Sequence, residues 1–129
     1  MRTPLPAKAK ELLDQATFVT VATTNADGSP QTSILWATYD GDDILLSTVE
    51  GRTKPRNWRR DPRTSVIVFD PDDPYSYVEA RGTVELTTDG GPELIQTLSR
   101  KYTGRPYKND APGAVRLVAR LRPEHVVTH

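Results

Sequence analysis

Turn-forming residues cut this chain into short pieces rich in β-branched side chains, and that rhythm leaves few folds open. Residues 18–24 (FVTVATT) run into Asn25-Ala-Asp-Gly28, whose Asp27-Gly28 step is a hairpin signal. Residues 30–39 (PQTSILWATY) run into the polar turn 40–43, and residues 44–48 (ILLST) follow. These three strands, close in sequence, are expected to pair as an antiparallel meander. A fourth strand spans 64–69 (TSVIVF), and a rigid polar connection, 70–74, leads to a long fifth strand at 75–87 (YSYVEARGTVELT). Gly82 inside that strand marks a bulge or a close backbone approach. A sixth strand spans 114–122, with Val115, Leu117, Ala119 and Leu121 alternating against polar or exposed positions, and 125–129 reads as a tail.

Helical spacing is confined to three short segments. Residues 4–16 place Leu12, Leu13 and Ala16 on one face, and residues 92–102 do the same with Leu94, Ile95, Leu98 and Tyr102. Residues 53–60 form the third helix, with Thr53 as the expected N-cap and Pro55 in the first turn. Residues 103–112 read as an irregular loop. Strands joined by hairpins and peripheral helices predict a mainly β, six-stranded antiparallel barrel in one domain, 1–129, rather than a βαβ sheet. A chain of 129 residues buries a core without staples, and there are no cysteines to form any. No stretch approaches the roughly 20 apolar residues of a membrane span, and the first ten residues lack a signal-peptide pattern. A soluble, cytoplasmic protein is the expectation.

The charges balance at 17 basic and 17 acidic residues, but unevenly. Between Arg52 and Arg63 stand Arg52, Lys54, Arg56, Arg59, Arg60 and Arg63, against the single acid Asp61. A local basic patch on a neutral protein suits a focused anion site; the same charges also suit a solvated helix face. A nucleic-acid-binding barrel would set that helix against backbone phosphate, although such domains are usually basic as a whole.

Little of the usual catalytic equipment is present. His125 and His129 are the only histidines, so neither a His-rich metal site nor a histidine-based triad is expected. No G-x-S-x-G, G-x-G-x-x-G or P-loop occurs. The acidic turn of Asp70, Asp72 and Asp73 contains two prolines and reads as turn chemistry rather than a calcium loop. A chain so equipped fits chemistry delegated to a cofactor.

The strongest local signal is Ser47-Thr-Val-Glu-Gly-Arg-Thr-Lys-Pro-Arg-Asn57. A strand ends in the hydroxyls of Ser47 and Thr48, and a helix then opens with Arg52 and Lys54 at its entrance. Helix N-termini attract anions, and Arg and Lys add a fork and a point charge, so the constellation suits phosphate. Gln31 and Ser33 share one face of their strand and Thr32 the other; these groups suit the polar edge of a planar heterocycle or an ordinary strand edge. Tyr75 and Tyr77, either side of Ser76, share a face and suit ring packing or a subunit interface.

The segments DGSPQTS, ILLST, GRTKPRNWRRDPR and YSYVEARGTVEL, in that order, resemble the pyridoxamine-phosphate-oxidase-like FMN-binding split barrels. Within them they are most similar to the actinobacterial flavin/deazaflavin oxidoreductases that use coenzyme F420. The resemblance spans about Phe18 to Val126. It implies a split β-barrel homodimer with cofactor sites at the interface, and an oxidoreductase that passes a hydride from reduced deazaflavin to a small electron-poor conjugated acceptor. It implies that Ser47, Arg52, Lys54 and Asn57 hold the cofactor phosphate, that Gln31, Thr32 and Ser33 lie along the ring or its side chain, and that Tyr75, Ser76 and Tyr77 approach from the partner. Arg56, Arg59 and Arg60 would meet the polyglutamate tail of F420, which FMN lacks. FMN in the same site, or a flavin-binding protein without turnover, are the alternatives. The resemblance supplies no catalytic side chain, no metal, and no membrane or nucleic-acid partner.

Overall fold

The computed structural model describes residues 2–129. Seven strands form one antiparallel sheet: β1 (Val19–Thr24), β2 (Pro30–Leu35), β3 (Ala37–Asp40), β4 (Asp43–Val49), β5 (Arg63–Asp70), β6 (Asp73–Thr87) and β7 (Arg116–Thr128). Their order is β2-β1-β5-β6-β7-β4-β3. The sheet curls into a half-barrel, so the expected mainly β class stands with seven strands instead of six.

The difference arises at Trp36. The expected second strand, 30–39, breaks there. Its first half pairs with β1 and its second half with β4, at opposite edges of the sheet. One continuous stretch of chain therefore joins the two edges, and the first strands form two separate hairpins rather than a meander. Sequence proximity favoured the meander; curling the sheet lets the same residues serve both edges and leaves neither as a long open template.

Burial alternates along β1, with Val19, Val21 and Thr23 inward, and β5 does the same with Val66 and Val68. The four valines meet Ile44, Leu46, Val78, Ala80, Ala119 and Leu121 in the principal core. At roughly 1.5–3 kcal/mol for each fully buried aliphatic side chain, this core is the main source of stability. Two helices close it. α1 (Ala7–Asp14) contributes Ala9, Leu12 and Leu13. α2 (Thr53–Arg60) contributes Trp58 and buries Pro55 beside it.

α3 (Gly91–Thr103) packs instead on the outer face of β4 and β7, where Leu94 and Leu98 meet Val118, Leu45, Trp36 and Tyr102. β7 is thus covered on both faces, and Arg116, Leu117, Val118 and Ala119 are all buried. The expected alternation fails here: Val115 is exposed and precedes the strand, while Arg116 lies inside. The expected tail is also part of β7, pairing with β6 as far as Thr128.

Gly82 fulfils both parts of its reading. The β6–β7 register shifts between Arg81 and Gly82, and a Cβ at Gly82 would lie 2.0 Å from the Arg122 carbonyl oxygen. α3 starts after Gly90, at φ 79°, and ends at Gly104, at φ 76°.

Candidate functional site

α2 follows Gly51, whose φ of 94° turns the chain sharply out of β4. The N-cap is Arg52, not Thr53, and no side chain caps the helix. Pro55 falls in the first turn, where its missing N–H costs no hydrogen bond. No acid stands in the first turn, although an acid there would suit the helix dipole. Arg52 and Lys54 take that place, and among the described residues neither is ion-paired. Partial burial, and then the neighbouring Arg52, lower the pKa of Lys54 below the usual lysine value. Two cations and a helix N-terminus thus converge with no carboxylate in direct contact; Asp110 feels the charge of Arg52 but is ion-paired with Arg116.

Beside them lies a cleft of about 390 Å³. Phe18, Ile34, Leu35 and Trp36 form one wall and Ile95 and Leu98 of α3 another. Ser47, Arg52, Tyr107, Asn109 and Arg116 complete it. Trp36 stacks on Tyr102 at 5.4 Å and meets Tyr107 edge-on at 6.3 Å, which fixes the aromatic side of the cleft. The wall exists because the chain bends at Trp36. Lys101 and Tyr102 of α3 hold that bend: the Lys101 ammonium donates to the carbonyls of Ala37 and Leu13, both at 2.6 Å, and the Ala37 N–H donates to the Tyr102 hydroxyl at 3.1 Å.

The expected site residues divide into groups. Ser47 and Arg52 line the cleft. Lys54 reaches β2 and donates to Ser33 Oγ at 3.0 Å. Gln31 accepts from the Thr23 hydroxyl at 2.7 Å and donates to the Thr32 carbonyl. The buried Asn57 amide donates to Thr23 Oγ1 at 2.9 Å and Asn25 Oδ1 at 3.1 Å, and accepts from Arg60. That network locks α2 to the β1–β2 hairpin, so Asn57 and Gln31 are committed within the protein. Thr32 points outward and is exposed. Thr48 requires a correction. It shares the inward face of Ile44 and Leu46, is 1% exposed, and its hydroxyl has no partner. Pleating sends Ser47 and Thr48 to opposite faces, so they cannot hold one ligand together.

Tyr75, Ser76 and Tyr77 do not line this cleft. Tyr75 is 87% exposed at the start of β6, and Tyr77 stacks on His129 at 4.6 Å. Sequence reading missed Arg116, Asp110 and Tyr107. Arg116 resembled one more exposed position of an alternating strand, and the loop residues carried no periodic signal.

A larger groove of about 620 Å³ lies on the outer face of the sheet, lined by Ala22, Ser65, Arg81, Thr83 and His125 among others. It lacks the aromatic walls and unpaired cations of the cleft: Arg63 pairs with Asp61, and Arg81 with Glu79. Among the described residues no helix is long and apolar enough to cross a membrane.

A curled antiparallel sheet whose strand bend, helix entrance and outer helix frame one aromatic, cation-edged cleft defines a split β-barrel with a candidate site at its seam. The chain belongs to the pyridoxamine 5'-phosphate oxidase family, whose pattern matches residues 5–129. Among solved structures it is similar to an F420 reductase, at 30% identity over 97% of this chain and 100% of that one, with a TM-score of 0.85. It shares its fold with a conserved hypothetical protein, Rv2991, of Mycobacterium tuberculosis (24% identity, 97% and 84% covered, TM-score 0.73). It shares the fold also with HupZ of Group A Streptococcus (18% identity, 96% and 93% covered, TM-score 0.72).

Proposed function

We propose that the protein is an F420-dependent oxidoreductase that holds the deazaflavin in this cleft and passes a hydride to a small electron-poor conjugated acceptor. The observation that carries the reading is the pair Arg52 and Lys54, set at an uncapped helix N-terminus with no carboxylate in ion-pair contact, the acid that feels Arg52, Asp110, being bound to Arg116. Such an arrangement is unfavourable by itself and becomes favourable when an anion with several oxygens arrives. The adjoining wall of Ile34, Trp36 and Tyr107 suits a planar ring. The likeness to an F420 reductase supports the choice of coenzyme, and exposed Arg56 on α2 would attract its acidic tail, whereas Arg59 is held by Glu50.

The bound cofactor would supply the hydride chemistry. In this chain, Arg52 and Lys54 hold the phosphate, Ser33 positions Lys54, and the aromatic wall orients the ring and excludes water. No side chain is assigned a proton-transfer role. The protein acts as a homodimer. Phe18, Ile34, Phe69 and Tyr75 are large apolar side chains left exposed, and a second copy covering that face would bring its Tyr75, Ser76 and Tyr77 toward the cleft.

Parallel calorimetric titration with F420 and FMN tests the reading. Tight F420 binding with weak FMN binding is expected. The reverse preference moves the protein to FMN in the same site, and absence of binding by both overturns the assignment.

A further inference from the structure

We propose that the loop after α3 is a strap latched across the cleft by Asp110 and Arg116, and that the latch makes Ser47 a hydrogen-bond donor aimed at the ligand. The proposal rests on the cleft being the ligand site.

Arg116 is 7% exposed, and each part of its guanidinium is engaged. Its Nε and Nη2 meet the two Asp110 carboxylate oxygens at 2.9 and 2.7 Å. Its Nη1 donates to Ser47 Oγ at 3.1 Å, and its plane lies over the Tyr107 ring at 4.9 Å. The other end of the strap is tied to α3. Gln96 and Tyr107 exchange side-chain and backbone hydrogen bonds at 3.0 Å each, and Ser99 donates to the Arg105 carbonyl at 2.7 Å. Tyr107 and Asn109 thereby become walls of the cleft.

A guanidinium only donates, so Ser47 Oγ must accept from it. The hydroxyl keeps one proton to give, and among the described residues no protein group takes it. Ser47 lies on the cleft face of β4, so that proton is directed to the ligand. A cation behind the oxygen strengthens the donation. The group that fits is an oxygen acceptor, a phosphate or ring carbonyl, beside Arg52. Arg116 and Asp110 are positioning residues, acting through Ser47 and the strap.

A double-mutant cycle read by calorimetric affinity for F420 and for FMN tests this. S47A and R116Q should each weaken binding of the preferred cofactor roughly tenfold. The S47A/R116Q double variant should lose clearly less than the product of the two single losses, because part of the arginine's effect runs through the serine. R116K should recover part of the loss. D110N should make the ligand-free strap more sensitive to trypsin at the exposed Lys108. Should R116Q fail to fold, D110N takes its place in the cycle. Unchanged affinity in S47A, with binding lost in K54A, would overturn the latch and leave the cleft standing. Additive losses in the double variant would overturn the coupling. Unchanged affinity in K54A as well would remove the cleft itself.

Discussion

Lys54 shows how a single charge reports on function. Its pKa is lowered by burial and by Arg52, so the ligand-free protein holds it at a cost. A bound phosphate would offset both penalties by direct charge attraction. Lys54→Ala should therefore weaken cofactor binding roughly 10- to 100-fold, about 1–3 kcal/mol. The melting temperature of the ligand-free protein should stay level or rise slightly, because removing Lys54 relieves its repulsion with Arg52. A large loss of stability with unchanged affinity would make the basic helix structural. The sequence made Arg52, Lys54 and Ser47 legible because a glycine, two cations and a helix start are local signals. It could not separate Ser47 from Thr48, since both carry hydroxyls and only the register of β4 decides which faces the cleft. Asn57 also looked like a ligand contact. Its amide is spent on Thr23 and Asn25, residues more than thirty positions away.

Among the elements, α3 holds the bend that walls the cleft, and the β6–β7 pair holds the sheet behind it. Lys101 caps the last turn of α1 through Leu13 and holds the bend before β3 through Ala37. Burial pushes its pKa from 10.5 down to about 8. Between those values the unfolded chain binds more protons than the native one, so stability rises with pH across that window as the desolvated charge is lost. Urea unfolding midpoints measured from pH 7.5 to 9.5 should show a rise in the wild type that is smaller in Lys101→Met; equal slopes would contradict this. At Gly82 the limit is steric. Gly82→Ala would drive a methyl into the Arg122 carbonyl and should cost about 1–3 kcal/mol or more, seen as a lower urea midpoint. Gly82 was readable in the sequence as a break in a strand pattern. Arg116 was not, because burial of both faces of β7 depends on a helix laid over it from elsewhere in the chain.

At the scale of the whole molecule, Phe18, Ile34, Phe69 and Tyr75 stand exposed, and the proposed homodimer would cover them. Phe69 is 43% exposed and does not line the cleft. Phe69→Asp should shift the protein from dimer to monomer in sedimentation and also weaken cofactor binding, because the partner's tyrosines would leave the site. A wild-type monomer with full affinity would remove the interface from the proposal.

By itself the sequence determined the strand-rich class, all three helices to within a few residues, the bulge at Gly82 and the basic entrance of α2. Each rests on local preference: period, turn chemistry and charge within a few residues. Only the tertiary structure decided that the second strand breaks at Trp36 to join both sheet edges, that α3 covers β7, and that Arg116 turns inward to Asp110 and Ser47. Those outcomes depend on how the sheet curls, and curling is set by the packing of side chains far apart in sequence, which no local pattern encodes.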